Sequence, residues 1–131
     1  MSEQEINIEK LITELPSGLL TGFQVADILE NPKEFPTDLI EKISIETALK
    51  YWTAKIHYQD GDHIMNNIYT YYIANEYFFK NYDFPDIAWN FYKAFDSGEY
   101  YRKDDDRMID PSETYTKPLI ESLLRKLNLI T

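Results

Sequence analysis

The stretch NIYTYYIANEYFFK, residues 67–80, decides the fold, and further aromatic positions follow it as far as Phe95. Residues 67–95 contain 12 of the 20 aromatic residues in this chain of 131 residues. A large ring buries roughly 150–250 Å² when it is covered, so no other segment offers comparable apolar area for a core. Six of the twelve are tyrosines, whose hydroxyl groups need water or a partner. We therefore expect part of this surface to lie at an edge or an interface.

The hydrophobic spacing of this stretch favours a central helix. Apolar residues recur every three or four positions over residues 63–80, and no turn signal interrupts them. The run is longer than a usual strand, although residues 67–73 also have high β propensity, so a strand there stays the alternative. We expect Asp60-Gly61-Asp62 to form a turn and Asp62 to cap the helix that follows.

Amphipathic patterns predict the other helices. They cover residues 6–15, 23–29, 37–56, 85–96 and 116–130. Ser44 offers a second start within the third segment, so one bent helix or two short ones both fit. Asp110-Pro111-Ser112-Glu113 has the residue types of a capping box, whereas Pro118 moves the main start of the last helix to Thr116. The pattern predicts an all-α fold, a single-domain irregular helical bundle of about five to six helices over residues 1–131.

The composition limits the compartment and the chemistry. The chain has no cysteine, which excludes disulfides and thiolate metal sites. Its N-terminal residues lack the basic and apolar regions of a signal peptide, and no apolar run reaches the length of a membrane span. We therefore expect a soluble, cytoplasmic protein with no membrane association.

Acidity is the main electrostatic feature of the sequence. Asp and Glu number 23 against 13 Lys and Arg, which gives a formal net charge of −10. Such a field opposes binding to nucleic-acid phosphates and anionic lipid. It also attracts a basic protein and speeds its association, although an acidic surface can serve solubility alone. A basic protein is therefore the expected partner, and nucleic acid is not.

One short segment crowds imidazoles and carboxylates together. His57, Asp60, Asp62 and His63 could hold a divalent transition metal if a turn brought them onto one point. This segment is the basis of an alternative function, a small metal-dependent hydrolytic enzyme. It lacks the ligand pattern of an EF-hand loop, and the chain has neither a nucleophile elbow nor a phosphate-binding glycine loop. The first interpretation therefore includes no enzyme activity, no cofactor and no metal.

The remaining candidate site is a protein-binding surface in the second half of the chain. Aromatic side chains of the kind that anchor interfaces occur there beside carboxylates that set the approach of a partner. The predicted partner-binding residues are Tyr82, Asp83, Asp86, Trp89, Glu99, Tyr100, Tyr101, Asp104, Asp105 and Asp106. In the competing interpretation, Trp89 packs in the core and the three consecutive aspartates form a solvated loop.

The chain resembles the small immunity proteins of bacterial toxin systems, including those of contact-dependent inhibition and bacteriocin pairs. The shared features are small size, strong negative charge, absence of cysteine and of a catalytic signature, and enrichment in Tyr and Asp. This is a resemblance of type across the whole chain rather than a motif match. It implies a cytoplasmic inhibitor that occludes a basic toxin, often a nuclease, by placing carboxylates where nucleic-acid phosphates would lie. A structural homo-oligomeric module, in which Tyr and Trp cover a symmetric interface, is the other alternative.

Overall fold

Seven α-helices and one π-helical turn form the fold in the computed structural model, which describes residues 8–131. The α-helices are α1 (Ile8–Glu14), α2 (Gly22–Ile28), α3 (Thr37–Trp52), α4 (Tyr58–Ala74), α5 (Glu76–Asn81), α6 (Asp86–Asp96) and α7 (Lys117–Lys126). The π-helical turn, Ser112–Thr116, leads directly into α7. No strand occurs within residues 8–131, so the all-α prediction is confirmed and the strand alternative for residues 67–73 is wrong. Ile6, where the first helix was expected to begin, lies outside the described residues.

Helix α4 is the central element of the bundle. It packs against α2, α3, α5 and α6, as expected for a helix that has apolar residues on most of its faces. Its side chains Ile64, Met65 and Ile68 are completely buried in one continuous core. Burying such a side chain contributes about 1.5–3 kcal/mol, so this helix is a large source of stability.

Asn67, at the start of the decisive stretch, fastens the loop between α1 and α2 to the core. Its side-chain amide donates to the carbonyls of Leu15 and Gly18 at 2.6 and 2.8 Å, and its side-chain oxygen accepts from the Leu20 N–H at 2.9 Å. The side chain is almost completely buried, so these bonds satisfy a polar group that would otherwise be costly.

The start of α4 corrects the predicted turn at Asp60-Gly61-Asp62. The helix begins at Tyr58, and the Asp60 carboxylate accepts a hydrogen bond from the His57 N–H at 3.2 Å. Gly61 is buried inside the helix, where an added Cβ would lie 2.4 Å from Cε1 of Phe95. The glycine therefore allows α6 to approach α4 closely and does not form a turn. Asp62 lies inside the helix as well, so the prediction that it caps the helix is wrong.

The end of α4 corrects the prediction of one helix as far as residue 80. The helix ends at Ala74, and Asn75 adopts an extended conformation with φ −107° and ψ 107°. The Asn75 side chain accepts from the Phe78 N–H at 3.0 Å and so caps α5. The break changes the direction of the chain and places Phe78 in the core, with 2% of its surface exposed.

Two other helix boundaries follow from local chemistry. Helix α3 is one continuous helix, because the buried Ser44 hydroxyl donates to the Ile40 carbonyl at 2.8 Å and caps no second start. Helix α7 begins at Lys117 with Thr116 as its N-cap residue, close to the predicted start. The π turn before it accommodates Pro118, whose ring would clash with the carbonyl four residues earlier in an α-helix. None of the helices within residues 8–131 has the length and apolarity needed to cross a lipid bilayer.

Candidate functional site

A strip of partly exposed aromatic side chains crosses from α4 to α6. Tyr69 of α4 stacks on Tyr92 of α6, with ring centroids 4.9 Å apart, and Trp89 stacks on the same Tyr92 at 5.3 Å. Trp89 and Tyr92 are three residues apart and therefore lie on the same side of α6. Trp89 keeps 36% of its surface exposed, so it both packs against the protein and remains accessible. We call Tyr69, Trp89 and Tyr92 the aromatic strip.

Three carboxyl groups lie next to the aromatic strip. Asp62 of α4 lies beside Glu99, and Asp96 at the end of α6 adds negative charge to its surroundings. Burial, followed by the contact with Glu99, raises the pKa of Asp62 to about 8. With a pKa of about 8, the Asp62 carboxyl group beside Glu99 holds a proton near neutral pH. We call Asp62, Asp96 and Glu99 the carboxyl cluster.

The strip and the cluster form one continuous surface. Burial raises the pKa of Tyr92, and repulsion from Asp96, Glu99 and Asp62 adds to this effect. Tyr92 and Asp96 are four residues apart on α6, which places their side chains on the same helical face. This surface, which we call the α4–α6 face, therefore combines aromatic rings with carboxyl groups that influence one another electrostatically.

Arg102, whose charge partly offsets the raised pKa of Asp96, makes its closest contacts outside the carboxyl cluster. Its guanidinium lies 3.6 Å from the ring centroid of Tyr115 and 4.4 Å from that of Tyr100. It also donates to the Ser97 carbonyl at 2.6 Å. Over the described range, no member of the carboxyl cluster forms an ion pair with a lysine, arginine or histidine. The cluster can therefore accept a cationic group from outside the chain.

The three consecutive aspartates have different roles. The Asp105 carboxylate accepts from the Arg102 N–H at 2.7 Å and from the Tyr115 hydroxyl at 2.6 Å. Asp106 accepts from the backbone N–H two residues later at 2.9 Å. Two of the three carboxylates thus stabilise the conformation of loop 99–110. Asp104 and Asp106 are exposed, and Asp105 is half-buried. The sequence could not show this, because Tyr115 lies outside the acidic segment.

The loop tyrosines of the predicted site face arginines of their own loop. Arg102 covers Tyr100, and the Arg107 guanidinium lies 4.7 Å from the ring centroid of Tyr101. The Tyr101 hydroxyl also donates to the Arg107 carbonyl at 3.1 Å. These two rings therefore shape the loop, although Tyr100 remains 58% exposed.

The other predicted residues lie at the opposite end of α6. Tyr82 and Tyr77 both donate from their hydroxyl groups to the Glu34 carboxylate, and these bonds lower the pKa of Glu34. Asp83, three residues before α6, and Asp86, its first residue, are both exposed. Helix α6 has 11 residues and is about 16 Å long at 1.5 Å per residue, so this group is distant from Glu99. The structure places the predicted partner-binding residues in two groups, with Trp89 between them.

The imidazole and carboxylate segment does not converge on one point. Successive residues of an α-helix point about 100° apart, so Asp62 and His63 face different directions. Asp60 bonds to the backbone of His57, and Asp62 faces Glu99. In the part of the chain that the structure describes, no three His, Cys, Asp or Glu side chains come together as a metal-binding group.

The chain matches no protein-family model, no curated protein and no solved structure. The candidate site therefore rests on geometry alone. Of the residues on this face, the sequence analysis named Trp89 and Glu99 as partner-binding residues and Asp62 as a possible metal ligand, and it did not name Tyr69, Tyr92 or Asp96. The spacing of Trp89, Tyr92 and Asp96 along one side of α6 was the available local signal.

Proposed function

We propose that this protein is an acidic protein-binding inhibitor of the immunity-protein type, which neutralises a basic partner such as a toxin domain by occluding its active site. The observation that carries the proposal is the continuity of the aromatic strip with the carboxyl cluster on the α4–α6 face. Partly exposed Trp and Tyr side chains are typical anchors of protein interfaces. Carboxylates beside them select a cationic partner and orient it.

The electrostatics of the carboxyl cluster support a cationic partner. The three carboxyl groups repel one another, and burial further disfavours the ionised form of Asp62. A lysine or arginine side chain of the partner would replace this repulsion with attraction. The same contact would lower the pKa of Asp62, so binding would release a proton near neutral pH. Affinity should therefore rise as the pH rises from about 6 to about 8.

The aromatic strip supplies the apolar part of the proposed interface. Trp89 stacks on Tyr92 and also contacts the ring of Tyr69 at 5.6 Å, so two rings support the anchor before a partner arrives. Pre-organised rings lose little conformational entropy on binding. Removing such an anchor typically costs about 2 kcal/mol or more of binding free energy.

The test searches the genes next to that of this protein for one that encodes a basic protein domain and uses that domain as the candidate partner. The two proteins should co-purify, and co-expression should relieve the toxicity of that domain. We expect the double variant Trp89→Ala, Glu99→Lys to lose binding by at least about 100-fold, because it removes an anchor and reverses a carboxylate. Asp38→Lys, an exposed charge reversal on α3, is the matched control and should change affinity little.

Three results would contradict the proposal. Unchanged affinity in the double variant would exclude the α4–α6 face from the interface. Failure of the two proteins to associate would remove that domain as the partner. A dimer in light scattering that dissociates in Trp89→Ala would instead indicate the homo-oligomeric module.

A further inference from the structure

The aromatic surface continues beyond the aromatic strip and reaches α5. Tyr69, which contacts Trp89, also contacts Phe84, with ring centroids 5.2 Å apart. Phe84 contacts Tyr72 at 5.2 Å, and Tyr72 contacts Phe79 of α5 at 5.7 Å. All these separations lie in the range of favourable aromatic pairs, so the contacts form an unbroken series of rings from α6 across α4 to α5. We call Trp89, Tyr69, Phe84, Tyr72 and Phe79 the ring row.

Both ends of the ring row are exposed. Phe79 is 55% exposed at one end, and Trp89 is 36% exposed at the other. Tyr69 and Phe84 are half-buried between them. Ile73, four residues after Tyr69 and on the same side of α4, is 46% exposed. Scattered exposed apolar residues are ordinary, whereas a continuous series of them is typical of a protein-interaction surface.

Carboxylates flank the ring row at the start of α6 as well as at its end. Asp86 begins α6 and lies three residues before Trp89, on the same side of the helix. Burial raises the pKa of Tyr72 and the Asp83 carboxylate adds to this effect, which places Asp83 beside the ring row. The carboxyl cluster lies at the other end. Asp86 and Asp96 are ten residues apart on α6, or about 15 Å at 1.5 Å per residue.

The cations near this surface leave both acidic ends with an excess of negative charge. Lys80 pairs with Glu76 at 2.8 Å, and within residues 8–131 neither aspartate at the start of α6 forms an ion pair. Arg102, at the other end, makes its closest contacts with two tyrosine rings. Lys93 lies 5.7 Å from the Trp89 ring centroid, between the two ends. This pattern matches a partner whose own cations are separated rather than clustered.

We infer that the ring row is the centre of a longer interface, which binds an apolar ridge of a basic partner whose lysine or arginine side chains lie about 15 Å apart. One cation would pair with Asp83 and Asp86, and the other would pair with the carboxyl cluster. The apolar ridge would cover Trp89 and Phe79. The inference rests on the proposed function for the basic character of the partner. It adds a second anchor, Phe79, and a spacing between the cations.

The first test follows binding of synthetic helical peptides to the isotope-labelled full chain by NMR. The spaced peptide has a leucine face and two arginines eleven residues apart, which lie on one side of a helix about 16 Å from each other. The close peptide has the same composition, with the arginines about one turn apart. A third peptide has glutamates in place of the arginines of the spaced peptide. We expect only the spaced peptide to bind well and to shift signals of α4, α5 and α6. The other two should bind at least about fivefold more weakly, because they leave one or both acidic ends without a cation.

Variants make this test specific. Phe79→Ser should weaken binding of the spaced peptide at least about tenfold, because it removes an exposed anchor. Leu19→Ser, at a residue that is 75% exposed in the loop between α1 and α2, is the matched control and should bind as the parent does. The double variant Asp83→Asn, Asp86→Asn should lower the affinity for the spaced peptide to about that of the close peptide, because one acidic end is lost.

Trp89→Ala separates this inference from the proposed function. If Trp89→Ala weakens binding of the spaced peptide and Phe79→Ser does not, the longer interface is excluded and the proposed function stands. Unchanged binding in both variants would exclude the ring row and the α4–α6 face together.

Two other results would also overturn the inference. Equal binding of the spaced and close peptides would show a diffuse attraction to the acidic surface. A dimer in light scattering that dissociates in Phe79→Ser would show that a second copy of the chain covers the ring row.

Discussion

At the scale of single residues, Asp62 and Gly61 illustrate two different constraints on the start of α4. The Asp62 carboxyl group lies near the carboxyl groups of Asp96 and Glu99. Gly61 has no side chain, and this absence leaves room for the Phe95 ring. Both lie in a segment whose residue types are those of a turn. Their actual environments are set by α6 and the residues just after it: Phe95 contacts Gly61, and Asp96 and Glu99 lie near Asp62. Each leads to a prediction that a turn at this position would not produce.

Asp62 should make stability depend on pH. Its folded-state pKa of about 8 lies above its ordinary value of 3.8, so the native state holds a proton that the unfolded state releases between those pH values. The free energy of unfolding should therefore fall as the pH rises from about 4 to about 8 and then level off. Asp62→Asn should be more stable than the parent by about 1 kcal/mol at pH 8, allowing for solvent screening, and should show little gain at pH 4. Urea denaturation at both pH values checks this.

The control for this prediction is Asp104→Asn, which changes an exposed carboxylate in loop 99–110. Asp104→Asn should leave the difference in the free energy of unfolding between pH 4 and pH 8 unchanged. An equal gain for Asp62→Asn at pH 4 and pH 8 would show that the carboxyl cluster does not cause the effect.

Gly61→Ala should destabilise the protein although alanine is the better helix former. The helical preference favours alanine by about 1 kcal/mol, whereas the added Cβ would lie 2.4 Å from the Phe95 ring and force a shift that costs about 1–3 kcal/mol. Phe95→Leu should relieve part of that clash. A double-mutant cycle on Gly61→Ala and Phe95→Leu, measured by thermal denaturation, should give a coupling of about 1 kcal/mol. Additive effects would contradict the close packing of α4 on α6.

At the scale of elements, α6 joins the core to the candidate site. Its residues Ala88, Phe91 and Phe95 are buried, while Trp89 and Tyr92 form the aromatic strip on an adjacent side. The buried side sets the position of the helix, and the strip is therefore held on a rigid element rather than on a loop. Loop 99–110, in contrast, depends on its own contacts between arginine and tyrosine.

The junction of α4 and α5 leads to a prediction about one cap. Asn75→Ala removes the side-chain oxygen that accepts from the Phe78 N–H, and it should cost about 1 kcal/mol of stability. Asn75→Asp is the matched control, because it keeps the acceptor and should stay within a few tenths of a kcal/mol. Hydrogen exchange should be faster over residues 76–81 in Asn75→Ala. Unchanged exchange there would show that packing of Phe78 alone maintains the break.

At the scale of the whole molecule, the net charge of −10 should control how fast a basic partner arrives. The Debye length falls from about 10 Å at 0.1 M salt to about 3 Å at 1 M, so long-range steering is lost at high salt. We expect the association rate to fall by about 10- to 100-fold over this range, with a smaller change in the dissociation rate. Trp89→Ala should instead raise the dissociation rate, because it removes a contact and no charge. Stopped-flow kinetics separate the two effects, and a flat association rate would contradict electrostatic steering.

Helix boundaries were predicted well where residues next to the boundary, such as a proline or a capping residue, determine it. Thr116 and Pro118 place the start of α7, since a proline is accepted only in the first turn of a regular helix. The prediction failed at Gly61, where a glycine between two aspartates has the local features of a turn. The residue that decides the outcome, Phe95, lies far along the chain.

The sequence by itself determined the helical class, the central aromatic helix and the acidic character of the surface, because periodicity, caps and charge are local or additive properties. Only the tertiary structure decided which surface residues meet. Tyr69 stacks on Tyr92, and Asp62 lies beside Glu99, because α4 and α6 pack closely at Gly61. Contacts between distant residues depend on how the helices pack against one another, and the spacing of residues within one helix does not encode that packing.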